Sequence, residues 1–277
     1  MPARITFMLL IGFWFATILW HVWVVELPIW NAGAPPASAM ALSDETTAGS
    51  APMAYSAWFN NEKSLTGRQS LEFLPEIDGF SLRFELASGG KKMPGRLVKL
   101  DAGVTLERSG APVACDVEVD QGVAVTSFSF ERNGRQVLGE YAVEARGMPG
   151  FSGRVPVRPA PWNVVPGRPV LCPFIPAWRY PDLVPGQTWL ATIIDPVGDL
   201  MRPGEHGLTG STIKCRVANE LEKPPRTRKQ PECHRVDAVG AELSVSAWVL
   251  PRTGRIVAQR VTFGPDETWE FVIMELP

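Results

Sequence analysis

The chain has 277 residues, of which 45% are hydrophobic and 20% charged, and its formal net charge is −2. This is the composition of a globular protein and excludes a disordered chain. The 26 Pro and 25 Gly show no three-residue period, which excludes collagen and predicts many turns. A charge near zero argues against a nucleic-acid partner, which needs an excess of Lys and Arg. Three histidines leave little material for a histidine metal site.

The N-terminal segment decides where the protein is expected to reside. Residues 5–25 are apolar except for Thr6, Thr17 and His21. As a helix this run would be about 31 Å long, which matches a bilayer core. Because Arg4 precedes it and no other Lys or Arg follows until Lys63, the N-terminus is expected in the cytoplasm. These features predict a single-pass membrane protein that contacts the membrane through an N-terminal helix. Its C-terminal domain would be extracytoplasmic, and periplasmic in a bacterium.

A cleaved signal peptide is the alternative for the same segment, and it would give a secreted protein. Ala37-Ser38-Ala39 and Ala39-Met40-Ala41 both fit a small-residue cleavage site. The anchor is favoured because the apolar run exceeds the usual signal core of about 7–15 residues. Residues 1–30 are therefore expected to form the anchor or signal, 31–54 an Ala/Pro/Ser-rich linker, and 55–277 one exported all-β domain.

The body of the chain alternates apolar and polar residues between turn signals, as in antiparallel strands. Residues 123–131 and 136–144 flank Asn133-Gly134 and predict a hairpin. Three further strands are predicted near the C-terminus, over 241–250, 255–263 and 269–276. Other predicted strands cover 55–59, 70–73, 80–87, 96–100, 117–119, 190–194, 212–217 and 234–239. We therefore predict a mainly β fold, an antiparallel meander that forms a curved sheet, half-barrel or sandwich.

Residues 148–186 contain ten prolines, which cannot donate hydrogen bonds inside a sheet. This stretch is expected to run along an edge or over a surface. It also carries Phe174 and the aromatic residues Trp162, Trp178 and Tyr180. They would form either a belt that covers an open end of the sheet or an aromatic strap that recognises a ligand. The belt is favoured because large apolar residues mostly fill cores.

Four cysteines lie in the predicted exported domain: Cys115, Cys172, Cys215 and Cys233. An even number in an oxidising compartment predicts two disulfides, with three possible pairings. The favoured pairing joins Cys215 to Cys233 and Cys115 to Cys172. A redox or zinc site is disfavoured because the chain has no C-x-x-C and no zinc spacing.

A basic loop is the most distinctive charged feature. It contains Lys223, Arg226, Arg228 and Lys229. As a contact loop it would touch anionic lipid headgroups or an acidic partner. A solvated loop is favoured instead, because the neighbouring Glu220 and Glu222 dilute the positive field.

Catalytic motifs are absent from the sequence. It contains no G-x-S-x-G, H-E-x-x-H, G-x-G-x-x-G or phosphate-binding loop. His206 and His234 have no nucleophile or orienting acid marked beside them. The carboxylates of Asp195, Asp199 and Glu205 lack the alternating spacing of a calcium loop. We therefore expect no catalytic residue, no metal site and no cofactor.

One resemblance rests on the C-terminal residues Trp248, Thr253-Gly254-Arg255 and Trp269-Glu270-Phe271, together with the leader and linker. This plan resembles exported bacterial proteins of the lipoprotein-carrier half-barrel type. It covers about the last 65 residues and the Asn133-Gly134 hairpin. The resemblance implies a curved sheet whose concave apolar face holds an acyl chain or a partner's tail.

Three functions are compatible with these patterns. The first is a non-catalytic envelope protein that binds an apolar ligand or a lipidated partner. The second is a structural or assembly subunit of an envelope complex. The third, a hydrolase, is disfavoured because the catalytic motifs are missing.

Overall fold

The computed structural model of the protein describes most of the body of the chain and part of its N-terminus. The described residues are 2–22, 33, 53–88, 98–107, 112–134, 136–146, 152–161, 170–171, 173–174, 179–180, 182–193, 211–226, 231–240, 243–263 and 267–273.

One sheet dominates the fold. Its order is β8-β7-β6-β5-β4-β3-β2-β1-β15-β14-β13-β12-β11-β10-β9. Every neighbouring pair is antiparallel except β9 with β10, which are parallel. The strands are β1 (Met53–Phe59), β2 (Glu62–Leu74), β3 (Gly79–Ser88), β4 (Lys99–Glu107), β5 (Pro112–Asp120), β6 (Ala124–Asn133), β7 (Gln136–Ala145), β8 (Ser152–Pro161), β9 (Val170–Leu171), β10 (Thr188–Ile193), β11 (Ser211–Glu222), β12 (Cys233–Val239), β13 (Leu243–Val249), β14 (Ile256–Phe263) and β15 (Glu267–Ile273).

The predicted antiparallel meander is confirmed. The β6–β7 hairpin turns at Gly134, whose φ of 61° is the left-handed geometry that favours glycine. The sheet is not closed, because β8 and β9 form its two ends. The first and last strands meet in its middle, where Tyr55 lies opposite Ile273.

Alternation along the strands gives the sheet an apolar face and a second face, which is charged over β3 and carries a smaller hydrophobic cluster around Trp248. In β3, Leu82, Phe84 and Leu86 are buried in one large hydrophobic cluster that reaches from β10 to β6. We call the face that carries them the inner face. Arg83 and Glu85 lie between them on the outer face, where both form ion pairs. Burial of the inner face is the main stabilising contribution of the fold.

Both ends of the sheet are poorly suited to pairing with another strand. β8 contains Pro156, Pro159 and Pro161, which have no N–H to donate. β9 has only two residues. The prediction that the proline-rich stretch runs along an edge is confirmed for β8.

The N-terminal helix α1 spans Pro2–His21 and exposes large apolar side chains such as Phe13 and Trp20. The described helix covers residues 5–21 of the predicted span 5–25. In the described part of the chain, no helix has the length and apolar character needed to cross a membrane. The predicted transmembrane helix over 5–25 and the single-pass membrane localisation are therefore wrong.

No disulfide is found among the described cysteines. Cys215 and Cys233 are free and buried. Cys215 lies opposite Ala238 and Cys233 opposite Glu222, which separates the two cysteines by five residues of β12, about 17 Å. A disulfide requires Cα atoms within about 7 Å, so the predicted Cys215–Cys233 bridge is wrong. Cys115 is buried in β5, and its predicted partner Cys172 lies outside the described residues.

Candidate functional site

Aromatic side chains from separate strands meet on the inner face. The ring of Phe84 in β3 is 5.7 Å from Tyr55 in β1 and 6.2 Å from Phe271 in β15, both edge to face. The ring of Phe59 in β1 lies 4.9 Å from the ring of Trp269, the residue opposite it in β15. Aromatic pairs in these geometries stabilise the fold by more than the burial of their apolar surface alone.

Gln69 and Trp189 carry polar groups that are buried within this apolar face. Gln69 lies opposite Phe84 and is 3% exposed, and Trp189 in β10 is 0% exposed. Within the described residues, neither Gln69 Oε1 nor Trp189 Nε1 has a hydrogen-bond partner. A buried polar atom without a partner costs free energy, so each is a place where a water molecule or a ligand atom is expected.

Phe174 comes from the connection between β9 and β10 and inserts into the inner face. Its ring stacks on Phe263 at 5.5 Å with an interplanar angle of 14°. It also meets Trp269 and Phe271 edge to face, each at 5.9 Å. Gln259 Nε2 donates a hydrogen bond to the carbonyl oxygen of Pro173. We call Phe263, Trp269, Phe271 and Gln259 the Phe174 seat.

The predicted aromatic strap is described only in part. Tyr180 is buried, its ring lies 5.8 Å from Trp189, and its N–H donates to the carbonyl oxygen of Gly254 at 2.8 Å. Trp162 and Trp178 lie outside the described residues. Tyr180 and Phe174 thus both contact the inner face. The ligand role of the strap stays a prediction.

Arg226 of the predicted basic loop packs on the outer face. Arg226 pairs with Glu270 of β15 and donates to Asn61 Oδ1 at 2.7 Å. Its guanidinium lies 5.1 Å from the centre of the Trp58 ring, within range of a cation–π contact. Lys223 is exposed, and Arg228 and Lys229 lie outside the described residues. A contact role for this loop stays a prediction.

A groove crosses the outer face over β4 to β7. Two adjoining cavities of about 260 and 450 Å³ share Asp116, Ser129 and Glu140 as lining residues. Burial raises the pKa of Asp116, and the nearby charge of Asp101 raises it further. Gly103 leaves room for this carboxyl, since a Cβ there would lie 2.7 Å from Asp116 Oδ1.

His234 is the one candidate catalytic histidine that the structure describes. It is 9% exposed, and burial lowers its pKa. Its Nδ1 has no hydrogen-bond partner among the described residues. The described chain also holds no group of three or more His, Cys, Asp or Glu placed to bind a metal ion. His206, Asp195, Asp199 and Glu205 lie outside the described residues.

Sequence reasoning overlooked Gln69, Gln259 and the N–H of Trp189. A signal for the glutamines existed, because each sits at an apolar position of the two-residue alternation: Gln259 shares its face of β14 with Val261 and Phe263. A polar residue at such a position indicates a dedicated hydrogen bond or a bound molecule.

No protein-family model, no curated protein and no solved structure matches the chain. The resemblance to the lipoprotein-carrier type therefore stays a prediction.

Proposed function

We propose that this chain is a binding protein whose sheet curves into a half-barrel and holds an apolar ligand, or the lipid chain of a partner, against its inner face. Chemistry on the ligand is no part of this function. The proposal combines the shape of the sheet with the polar groups buried on its apolar side.

Contacts between distant strands support the curvature. β2 and β1 lie between β3 and β15 in the sheet. In a flat sheet, β3 and β15 would therefore lie about 14 Å apart. The rings of Phe84 and Phe271 nevertheless have centres 6.2 Å apart. This contact supports a sheet that bends toward its inner face at this point and brings side chains of non-adjacent strands together.

The inner face takes up an apolar side chain that its own strands do not supply. Phe174, which belongs to no strand, is buried among Phe263, Trp269 and Phe271. An apolar ligand would occupy the same face in the same way.

The observation that carries the proposal is the pair of unpartnered polar atoms on the inner face, Gln69 Oε1 and Trp189 Nε1. Ligand sites are mostly apolar with a few polar groups that orient the ligand. The indole N–H can donate only to an acceptor, which a carboxylate, ester or amide of an acyl compound supplies. We therefore expect an acyl ligand whose oxygen accepts from Trp189.

The test is a fluorescence titration of the full chain with cis-parinaric acid, a fatty acid that fluoresces in apolar surroundings. Saturable binding is expected. Trp189→Phe removes the N–H donor and should weaken binding about fivefold, the value of one hydrogen bond. Trp248→Phe is the matched control, because Trp248 lies on the outer face and its Nε1 already donates to Glu222 Oε1 at 2.7 Å. A titration without saturation, or equal weakening in both variants, would refute the proposal.

A second candidate, an assembly subunit, is favoured by the outer groove. Asp101 is paired with Arg83 at 3.1 Å and with Lys99 at 3.5 Å. In the described part of the groove, Asp116 and Glu118 form no salt bridge, so their charges are available to a basic segment of a partner protein. Asp116→Asn with Glu118→Gln should abolish salt-sensitive binding of a lysine-rich peptide to the protein. Unchanged binding would exclude the groove.

A further inference from the structure

We infer that the site at Trp189 selects a neutral acyl compound, whose carbonyl belongs to an ester or an amide, over a fatty acid in its ionised form. This inference rests on the proposed function and adds to it the charge state of the ligand. The surroundings of the Trp189 N–H and the pairing of buried carboxylates elsewhere in the sheet both support it.

Trp189 lies among apolar and uncharged groups. It is fully buried and lies opposite Cys215 of β11, which is also fully buried. The ring of Tyr180 lies 5.8 Å from the Trp189 ring. Ala191, two residues along β10, and Val217 of β11 belong to the same hydrophobic cluster. A ligand oxygen that accepts from the Trp189 N–H therefore leaves water for apolar surroundings.

The Cys215 thiol shows how these surroundings affect an anion. Burial raises the pKa of Cys215 to about 12, because removal from water disfavours the charged thiolate. Since Cys215 lies directly opposite Trp189, a ligand carboxylate at the indole N–H would suffer the same loss of hydration. The carbonyl of an ester or amide is uncharged, loses less hydration and can accept the same hydrogen bond.

Elsewhere the sheet holds its own buried carboxylates with arginine. Glu270 is buried and forms ion pairs with Arg226 and Arg260. Asp120 is buried and forms an ion pair with Arg146 at 2.7 Å. Such pairing is what makes a buried carboxylate tolerable. The groups described around the indole N–H are a thiol, aliphatic side chains and an aromatic ring, which suit an uncharged carbonyl instead.

Gln69 favours an uncharged ligand for a separate reason. Its Oε1 is buried on the inner face opposite Phe84 and has no hydrogen-bond partner among the described residues. This oxygen can bind only a donor, such as a hydroxyl or an amide N–H. An ionised carboxylate has acceptors only, so the two would repel each other at close range. Trp189 Nε1 and Gln69 Oε1 are thus both compatible with an uncharged ligand.

The test compares cis-parinaric acid with its methyl ester and its primary amide, by fluorescence titration of the full chain at pH 8. The ester and the amide should bind about tenfold more tightly than the acid, which should still saturate, because the ionised acid must lose the hydration of its charge. Trp189→Phe should weaken binding of the ester about fivefold by removing the N–H donor. Trp248→Phe, the matched control, should leave it unchanged.

The outcomes separate this inference from the proposed function. If the ester and the amide bind less than about threefold more tightly than the acid, the preference for a neutral carbonyl is refuted while the ligand function stands. If the ester binds Trp189→Phe as tightly as the unaltered protein, the preference arises at another site and the inference is overturned. If none of the three probes binds, the inference and the proposed function are both refuted.

A second readout needs no variant. A fatty acid labelled with carbon-13 at its carboxyl group reports its own protonation through the chemical shift of that carbon, measured in the complex with the unaltered protein. Half-protonation is expected above about pH 6, compared with about 4.3 for a glutamate side chain in water, because the site favours the uncharged acid. Half-protonation below about pH 6 would mean that the protein stabilises the carboxylate, and would overturn the inference.

Discussion

Glu270 of β15 and Arg226 of the loop after β11 form an ion pair across 44 residues of sequence. Arg260 adds a second partner at 2.7 Å on the other carboxylate oxygen. Glu270 is only 6% exposed, and these two guanidinium groups are its ion-pair partners among the described residues. The pair fixes the basic loop against the sheet and covers Trp58, which lies beneath the arginine.

Glu270→Ala should lower the free energy of unfolding by about 2 kcal/mol, because it leaves two partly buried arginines without their anion. The measurement is urea unfolding followed by circular dichroism. Arg68→Ala is the control: its side chain is 68% exposed and its pair with Glu85 lies at the surface, so a loss below about 0.5 kcal/mol is expected. Equal losses in the two variants would show that Glu270 is not the stabilising centre of the loop.

The buried thiols should resist alkylation until the protein unfolds. Burial raises the pKa of Cys215 to about 12 and that of Cys233 to about 11, so at pH 8 almost no thiolate forms. Iodoacetamide should label both cysteines rapidly in urea and slowly in buffer, as read by peptide mass spectrometry without reductant. Failure to label them in urea would mean that they are disulfide-bonded.

Gly67 marks a close approach of β2 and β3. A Cβ at this position would lie 1.9 Å from the carbonyl oxygen of Glu85 and 2.6 Å from Leu86 Cδ2. Gly67→Ala should therefore cost about 2 kcal/mol or more of unfolding free energy, since the backbone must move. Gly153 in β8 is the matched control, because a Cβ there meets nothing within 4 Å. Equal changes of melting temperature in the two variants would contradict this packing.

Acid should weaken the fold through His234. Burial lowers its pKa in the folded state, so below about pH 6.5 the unfolded chain binds a proton that the folded protein does not. The free energy of unfolding should fall as the pH drops through this range. His234→Gln should flatten that part of the profile between pH 8 and 5, measured by urea unfolding at each pH. Parallel profiles would show that His234 titrates normally.

Local patterns predicted the strands well and the long-range contacts poorly. Alternation and the Asn133-Gly134 turn locate the β6–β7 hairpin because both depend on neighbouring residues. The pairing of β1 with β15 depends on the whole meander, and no local signal marks it. β8 was not predicted as a strand because its prolines argue against an interior ladder, yet they are compatible with an edge.

The candidate site was harder to predict than the fold. The disulfide prediction used the number and spacing of cysteines, but β11 continues to Glu222 and carries the two thiols apart. The proline-rich pattern predicts that Phe174 lies in a segment that covers the core, but no local signal marks its partners on β14 and β15. Arg226 was treated as one of four loop cations, and its partner Glu270 was outside any local pattern.

The most direct test of the ligand function is photo-crosslinking of the full chain with a fatty acid that carries a diazirine group on its chain, followed by peptide mass spectrometry. We predict crosslinks to inner-face residues of β14 and β15 and to the peptide that contains Trp189, all suppressed by excess unlabelled fatty acid. Crosslinks confined to outer-face residues, or insensitive to the competitor, would contradict an apolar ligand site on the inner face.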